Sequence, residues 1–257
     1  MTQACRAFQL AIIAIAGKNY GNIFRLRLLT LTAGWIDPVT GEPTMDDRVS
    51  KQRDQKSAAV GVTEHGNSAV LVTVSSDGEL LDRRRVDLTD SALPTHPHHH
   101  EGSWAVGRYK DSPWARDVSL AEAIELVERV RRSAHKGARE CLEALSAAVP
   151  VTISRIAIRI CPELPTTTEE CIADNRAQTY ADSVMYRKAL ATAAEARGWS
   201  VYWYDRDQVY NEAAIALNCD DINDVLLKMG RSAGPPWQAK HKLAAAAALA
   251  ATKPAKQ

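Results

Sequence analysis

Apolar positions fall into a readable order from residue 57 onward. Ser57 to Glu64 (SAAVGVTE) is a short apolar run, His65-Gly66-Asn67 is a turn signal, and Ser68 to Val74 (SAVLVTV) is rich in β-branched residues, which together predict a hairpin. Ser75-Ser76-Asp77-Gly78 predicts a second turn, and Glu79 to Leu88 a third strand, less apolar and so nearer a sheet edge. From Thr89 to Val118 the pattern is irregular and contains THPHHHEGSWAVGRY; it is too long for an ordinary structureless loop, hence functional or mobile. Ser119 then caps a long helix whose apolar positions Leu120, Ile124, Val127, Ala134, Ala138, Cys141 and Leu145 recur at three and four. Its other face predicts i,i+4 pairs between Glu125 and Arg129, Glu128 and Arg132, and Arg139 and Glu143. Val151 to Ile160 (VTISRIAIRI) reads as a fourth strand, with Ile156, Ile158 and Ile160 on one face. A helix is predicted from Thr168 to a stop at Gly198, then a fifth strand, Trp199 to Tyr204. Short helices from Arg206 to Leu217 and Asp221 to Met229 precede an alanine-rich helix introduced by Pro235-Pro236.

Composition narrows the classes without choosing among them. Of 257 residues, 46% are hydrophobic, enough for a real core and incompatible with disorder throughout. Lys+Arg 32 against Asp+Glu 31 leaves a net charge of +1, so nucleic-acid binding would need a local basic patch. The apolar run Phe8 to Ala16 ends at Gly17-Lys18, short of the roughly 18 to 20 residues of a membrane span. Five cysteines (Cys5, Cys141, Cys161, Cys171, Cys219), none in a C-x-x-C pair, point to a reducing compartment and a cytoplasmic protein. Against that, Arg6 and the apolar run ending Ala14-Ile15-Ala16 loosely imitate a secretion signal. The alternative is an extension outside the fold, with Met45 able to open the chain and the charged stretch Asp46 to Lys56 acting as linker. The organisation expected is a leader over residues 1–56, one domain over 57–252 and a basic tail over 253–257.

The order of three strands, a helix, a strand, a helix, a strand and further helices predicts an α/β fold with a five-stranded mixed sheet and helices on both faces. With VGVTEHG before the hairpin, RIAIR in the fourth strand and the terminal HKLAAAAALAA, the chain resembles the ribonuclease H-like superfamily and, within it, the Holliday-junction resolvases of RuvC type. That resemblance implies two-metal phosphodiester hydrolysis, in which carboxylates at the ends of the first and fourth strands and on the last helix hold two Mg²⁺ ions. Position by position, the first-strand Asp falls at Thr63, with Glu64 next to it and, by strand alternation, on the opposite face. The fourth-strand Glu falls at Arg159, with Glu163 four residues on, and the last-helix Asp falls at or beside His241. An altered catalytic set of Glu64, Glu163 and His241 is therefore expected, carrying Mg²⁺ or Mn²⁺.

The remaining chemistry is histidine-centred. His96, His98, His99, His100 and Glu101 crowd imidazoles and a carboxylate into one segment, which is either a solvated loop or, with Glu64 and His241, a site for a divalent ion including Zn²⁺. His241 shares a helical face with Trp237, Ala245 and Leu249, so it is either a hydrogen-bonded core histidine or a ligand. Arg159, Arg176, Gln178, Lys240 and Lys242 are the candidate nucleic-acid contacts, and Arg83, Arg84 and Arg85 are read as protection of an edge strand. Trp199, Tyr202, Trp203 and Tyr204 are chiefly core, with one face available for base stacking. Two functions follow: a metal-dependent nuclease with an atypical active site, or an inactive module of the same fold that binds nucleic acid or protein. A metal-binding protein or small-molecule hydrolase using the histidine segment is a third. DNA or RNA is the expected partner and a homodimer the expected assembly.

Overall fold

The computed structural model describes residues 57–253; the expected leader and residues 254–257 of the expected tail lie outside the described residues. Strand β1 (Ser57–His65) turns into β2 (Ser68–Ser75) and then β3 (Leu80–Asp87), and a short helix, α1 (Glu101–Ala105), interrupts the irregular stretch. After it come α2 (Leu120–Ala148), β4 (Thr152–Arg159), α3 (Thr168–Ala173), α4 (Asn175–Glu195), β5 (Ser200–Tyr204), α5 (Val209–Leu217), α6 (Ile222–Ala233) and α7 (Ala239–Thr252). The strands form one sheet in the order β3-β2-β1-β4-β5. β1, β2 and β3 pair antiparallel, while β4 runs parallel to β1 and β5 parallel to β4. This is the five-stranded mixed sheet of an α/β fold that the element order predicts. The parallel pairings require crossovers, supplied by α2 and by α3 with α4.

Every residue of β2 is buried, so the sheet is covered on both faces. On one face Val60, Val62, Leu71, Ile156 and Ile158 meet α2 and α4 through residues such as Val130, Leu142, Tyr186 and Leu190. On the other, Ala59, Val70, Val72, Val74 and Ala157 meet α5, α6 and α7. At Gly61 the backbone of α7 lies directly against β1: a Cβ there would come within 1.8 Å of the Ala244 carbonyl oxygen and 2.6 Å of the Ala248 nitrogen. The alanine run is the other half of that contact, because Ala244, Ala245, Ala247 and Ala248 are wholly buried. Small residues on both elements let the helix approach closely, as the alanine run suggests.

Local signals explain most boundaries. The Ser119 hydroxyl accepts from the Glu122 amide while Glu122 Oε2 accepts from the Ser119 amide, a reciprocal cap that starts α2. Gly198, at φ +74°, turns the chain after α4 as expected. The single helix expected from Thr168 is instead two, because Asp174 leaves helical geometry (φ −81°, ψ 120°) and its side chain accepts from the Ala177 amide to begin α4. On α2, charges pair as Arg131 with Glu128 and Lys136 with Glu140, a different set from the i,i+4 pairs expected. β3 is an edge strand as predicted, and Arg83 reaches from it to the carbonyls of Gly234 and Pro236, fastening the segment before α7.

The Gly61 contact sets the first prediction. Gly61→Ala forces a methyl group into helix backbone that has no room to rotate away, and overpacking of this kind is expected to cost about 3 kcal/mol. Equilibrium denaturation checks it; an unchanged midpoint would contradict the close approach.

Candidate functional site

The carboxyl ends of β1 and β4 meet the start of α7 around a cavity of about 310 Å³, lined by Thr63, Glu64, Arg159, Arg206, Asp207 and Lys240 among others. Strand alternation sends consecutive residues of β1 to opposite faces. Thr63 faces α7, where its hydroxyl donates to the Lys240 carbonyl at 3.0 Å. Glu64 faces α4 instead, and its Oε1 takes Nε of Arg187 at 2.7 Å and also Nη2 of the same guanidinium. Arg187 Nη1 donates to the Ile160 carbonyl at 2.8 Å, so one cation ties the end of β1 to the chain just beyond β4. Both partners of this ion pair are buried, with side-chain exposures of 7% and 8%. Tyr204 closes the floor by donating to the Val62 carbonyl at 2.9 Å, and its burial pushes the phenol well above its ordinary value.

A divalent ion needs several unprotonated donors converging on one point. Glu64 is committed to Arg187, Thr63 to a carbonyl, and the remaining charged groups round the cavity include Arg159, Arg206 and Lys240, which repel a cation. Among the described residues no three His, Cys, Asp or Glu side chains are grouped to hold a metal ion. The donor set at the end of the sheet therefore does not fit the two-metal centre that the resemblance implies.

The expected catalytic residues stand apart from one another. Glu163 is exposed in the loop after β4 and lines a separate cavity with His98, His135, Cys161 and Lys188. His241 sits in the first turn of α7 beside a third cavity shared with Thr63, His65, Arg85 and Lys240. Its Nδ1 accepts from the Gln238 amide at 3.1 Å, so the ring proton lies on Nε2 and neither nitrogen offers a free lone pair to a metal. The ring stacks on Trp237 at 5.9 Å, and burial, then Arg83 and Lys240, push the imidazole below its ordinary value. It is the hydrogen-bonded core histidine of the two readings.

The histidine segment is built by α4. Asp182 accepts from the backbone amides of His98 and His99, at 3.0 and 3.1 Å, and pairs with His98 Nδ1 at 2.8 Å, with both Asp182 and His98 buried. The Tyr186 hydroxyl, one turn on, donates to the Thr95 carbonyl at 2.8 Å. His96 Nδ1 pairs with Thr95 Oγ1 at 2.7 Å, and burial pushes this ring below its ordinary value. His100 stacks on Trp104 at 6.4 Å. Glu101 is buried, its Oε2 has no hydrogen-bond partner among the described residues, and burial pushes its carboxyl up. These side chains order the segment beside the β1–β2 turn, where a Cβ on Gly66 would come within 3.1 Å of His96 Cε1.

Of the expected nucleic-acid contacts, Arg159 and Lys240 share the first cavity, whereas Arg176 and Lys242 do not line it. Gln178 is buried with both ends of its amide engaged: Oε1 accepts from Ser103 at 2.7 Å and Arg108 at 2.8 Å, and Nε2 donates to the Ile172 carbonyl at 3.2 Å. Its amide is turned into the interior, where it braces α1 and Arg108 against the end of α3. Trp199 and Tyr204 are buried, leaving Trp203 as the exposed ring of β5. Sequence reading missed Arg187, Asp182 and Arg206. The first two were legible only as charges on the buried face of a helix, which is a signal that a partner must exist and not which partner it is.

The fold and the site define an α/β domain with an open five-stranded mixed sheet, whose carboxyl edge is lined by Thr63, Glu64, Arg159, Arg206, Asp207 and Lys240. No family model matches the chain, and no curated protein does. Among solved structures it is similar to RuvC of Thermus thermophilus in complex with a Holliday junction substrate, with 15% identity, 75% of this chain and 90% of that chain covered and a TM-score of 0.41. A second Thermus thermophilus RuvC structure gives 17% identity, 75% and 92% coverage and a TM-score of 0.37. No helix of the described residues is long and apolar enough to cross a membrane.

Glu101 supplies a pH-dependent test. Its raised carboxyl means the folded chain holds the proton more tightly than the unfolded chain, so stability falls as pH rises from the ordinary Glu value through the folded one. Glu101→Gln is expected to be more stable than wild type at about pH 7 and to lose that advantage near about pH 3, below the ordinary Glu value, where the carboxyl is protonated in both states. Thermal melts at the two pH values check it; a variant less stable at the higher pH contradicts it.

Proposed function

We propose that this chain is a nucleic-acid-binding module of ribonuclease H-like fold that grips a phosphodiester backbone where carboxylates would hold metal ions. The observation that carries the reading is the charge at the end of the sheet. Arg159, Arg206 and Lys240 surround the cavity with Asp207 as the opposing acid, while Glu64 is neutralised by Arg187. Among the described residues, the heads of those three cations make no ion pair or side-chain hydrogen bond, so they are free to take phosphate oxygens. The N-terminus of α7 adds the positive end of a helix dipole to the same place. Such contacts position a nucleic acid without reading its sequence.

Fluorescence anisotropy with labelled single-stranded, duplex and four-way-junction DNA over a salt series tests this. Arg159→Glu combined with Lys240→Glu is expected to weaken binding at least about tenfold and to flatten the salt dependence by roughly 1.8 in log–log slope, the contribution of two phosphate contacts. Wild-type affinity and slope in the double variant would contradict it. So would Mg²⁺- or Mn²⁺-dependent cleavage that is lost in Glu64→Gln, which returns the chain to the nuclease reading.

A further inference from the structure

Between β3 and α2 the chain exposes aromatic surface that the fold does not need. Trp114 is 54% and Tyr109 52% exposed, and the two rings lie side by side. With His99, His100, Trp104 and Arg116 they line an open cavity of about 490 Å³. The rings form one continuous array: Tyr109 lies 5.7 Å from Trp114, Trp114 6.2 Å from Trp104, and Trp104 6.4 Å from His100, with the Arg116 guanidinium 5.6 Å above the Trp104 ring. Clustered exposed aromatic surface marks a recognition site more often than it marks idle surface.

The array is held in place. Arg108 donates to the carbonyls of Ile172 and Ala173 at the end of α3 and to Gln178, Ser103 donates to Gln178, and Asp182 fixes His98 and His99. Tyr109 has φ +57°, a left-handed conformation that a bulky residue rarely adopts. Preorganised rings on a braced segment lose little conformational freedom when something stacks on them.

The chemistry of the walls selects the occupant. Arg116 over Trp104 and the flanking imidazoles disfavour a cationic ligand. A planar, electron-poor ring carried on an anionic backbone suits both the faces and the cations. The bases of a duplex are stacked on one another and offer no free face, whereas unpaired bases do. His96 packs against the β1–β2 turn, so this platform lies at the same end of β1 as the Arg159–Lys240 cavity. We propose that Trp104, Tyr109 and Trp114 form a stacking platform for unpaired nucleobases, which makes single-stranded nucleic acid the preferred form. This rests on the phosphate-gripping reading and specifies what that reading leaves open.

The test compares an oligothymidylate of roughly twelve nucleotides with a hairpin duplex, using the full chain, anisotropy and intrinsic tryptophan quenching. Tyr109→Ala with Trp114→Ala, both at exposed positions, is expected to lower single-strand affinity by about tenfold or more and to remove most of the quenching. Duplex affinity and the salt slope stay at wild-type values, and a circular dichroism melt shows that the fold is retained. If the double variant binds the single strand as wild type does while Arg159→Glu with Lys240→Glu does not, the platform is refuted and the phosphate-gripping reading survives. If neither nucleic acid binds the wild type, both readings fail. Self-association that is lost in the aromatic variant, with single-strand affinity unaltered, reassigns the patch to a protein partner and likewise overturns the proposal.

Discussion

Arg187 reaches from α4 to Glu64 at the end of β1 and to the Ile160 carbonyl just past β4, and the character of the sheet's carboxyl edge follows from that contact. Removing one partner of a buried ion pair leaves an uncompensated charge and costs about 3–5 kcal/mol, so Glu64 cannot leave Arg187 for a metal ion without a comparable return. The same helix delivers Asp182 to the histidine segment and the Tyr186 hydroxyl to Thr95. One face of α4 therefore governs both the edge of the sheet and the aromatic segment beside it. With the carboxylate neutralised, Arg159, Arg206 and Lys240 stand around the cavity against Asp207, and the proposed anion-binding role rests on that excess of positive charge.

Much of the fold was legible because burial imposes a period. The alternation of β4, the small-residue face of α7 and the cap at Ser119 each encode a local geometry, and Ile156 and Ile158 are buried together as expected, whereas Ile160 falls beyond the strand and is exposed. Two departures have local causes. Asp174 splits the expected helix because its side chain competes for the backbone, and α1 forms within a segment too rich in Pro and Gly to show a period.

The site was less legible, and for a different reason. Periodicity says that Glu64 and Thr63 face opposite ways, and they do, but it does not say what lies opposite. Glu64 meets Arg187 at a separation of 123 residues and His98 meets Asp182 at 84, pairings that only the packing of α4 on the sheet creates. Glu64, His241 and the histidine segment could be read as one ligand set because their side chains share a chemistry; the structure turns Glu64 to Arg187, His241 to the Gln238 amide and His98 to Asp182. Trp104, Tyr109 and Trp114 carried no pattern at all, since an exposed platform in an irregular segment obeys neither helical nor strand spacing.

On the proposed reading, the edge of this sheet takes an anion and holds no divalent ion. Titrating the full chain with Mn²⁺ while following the electron paramagnetic resonance of the free ion tests it most directly. The account predicts no saturable binding up to millimolar ion, and the same trace for Glu64→Gln. Saturable micromolar binding of one or two ions, abolished in Glu64→Gln, would contradict it.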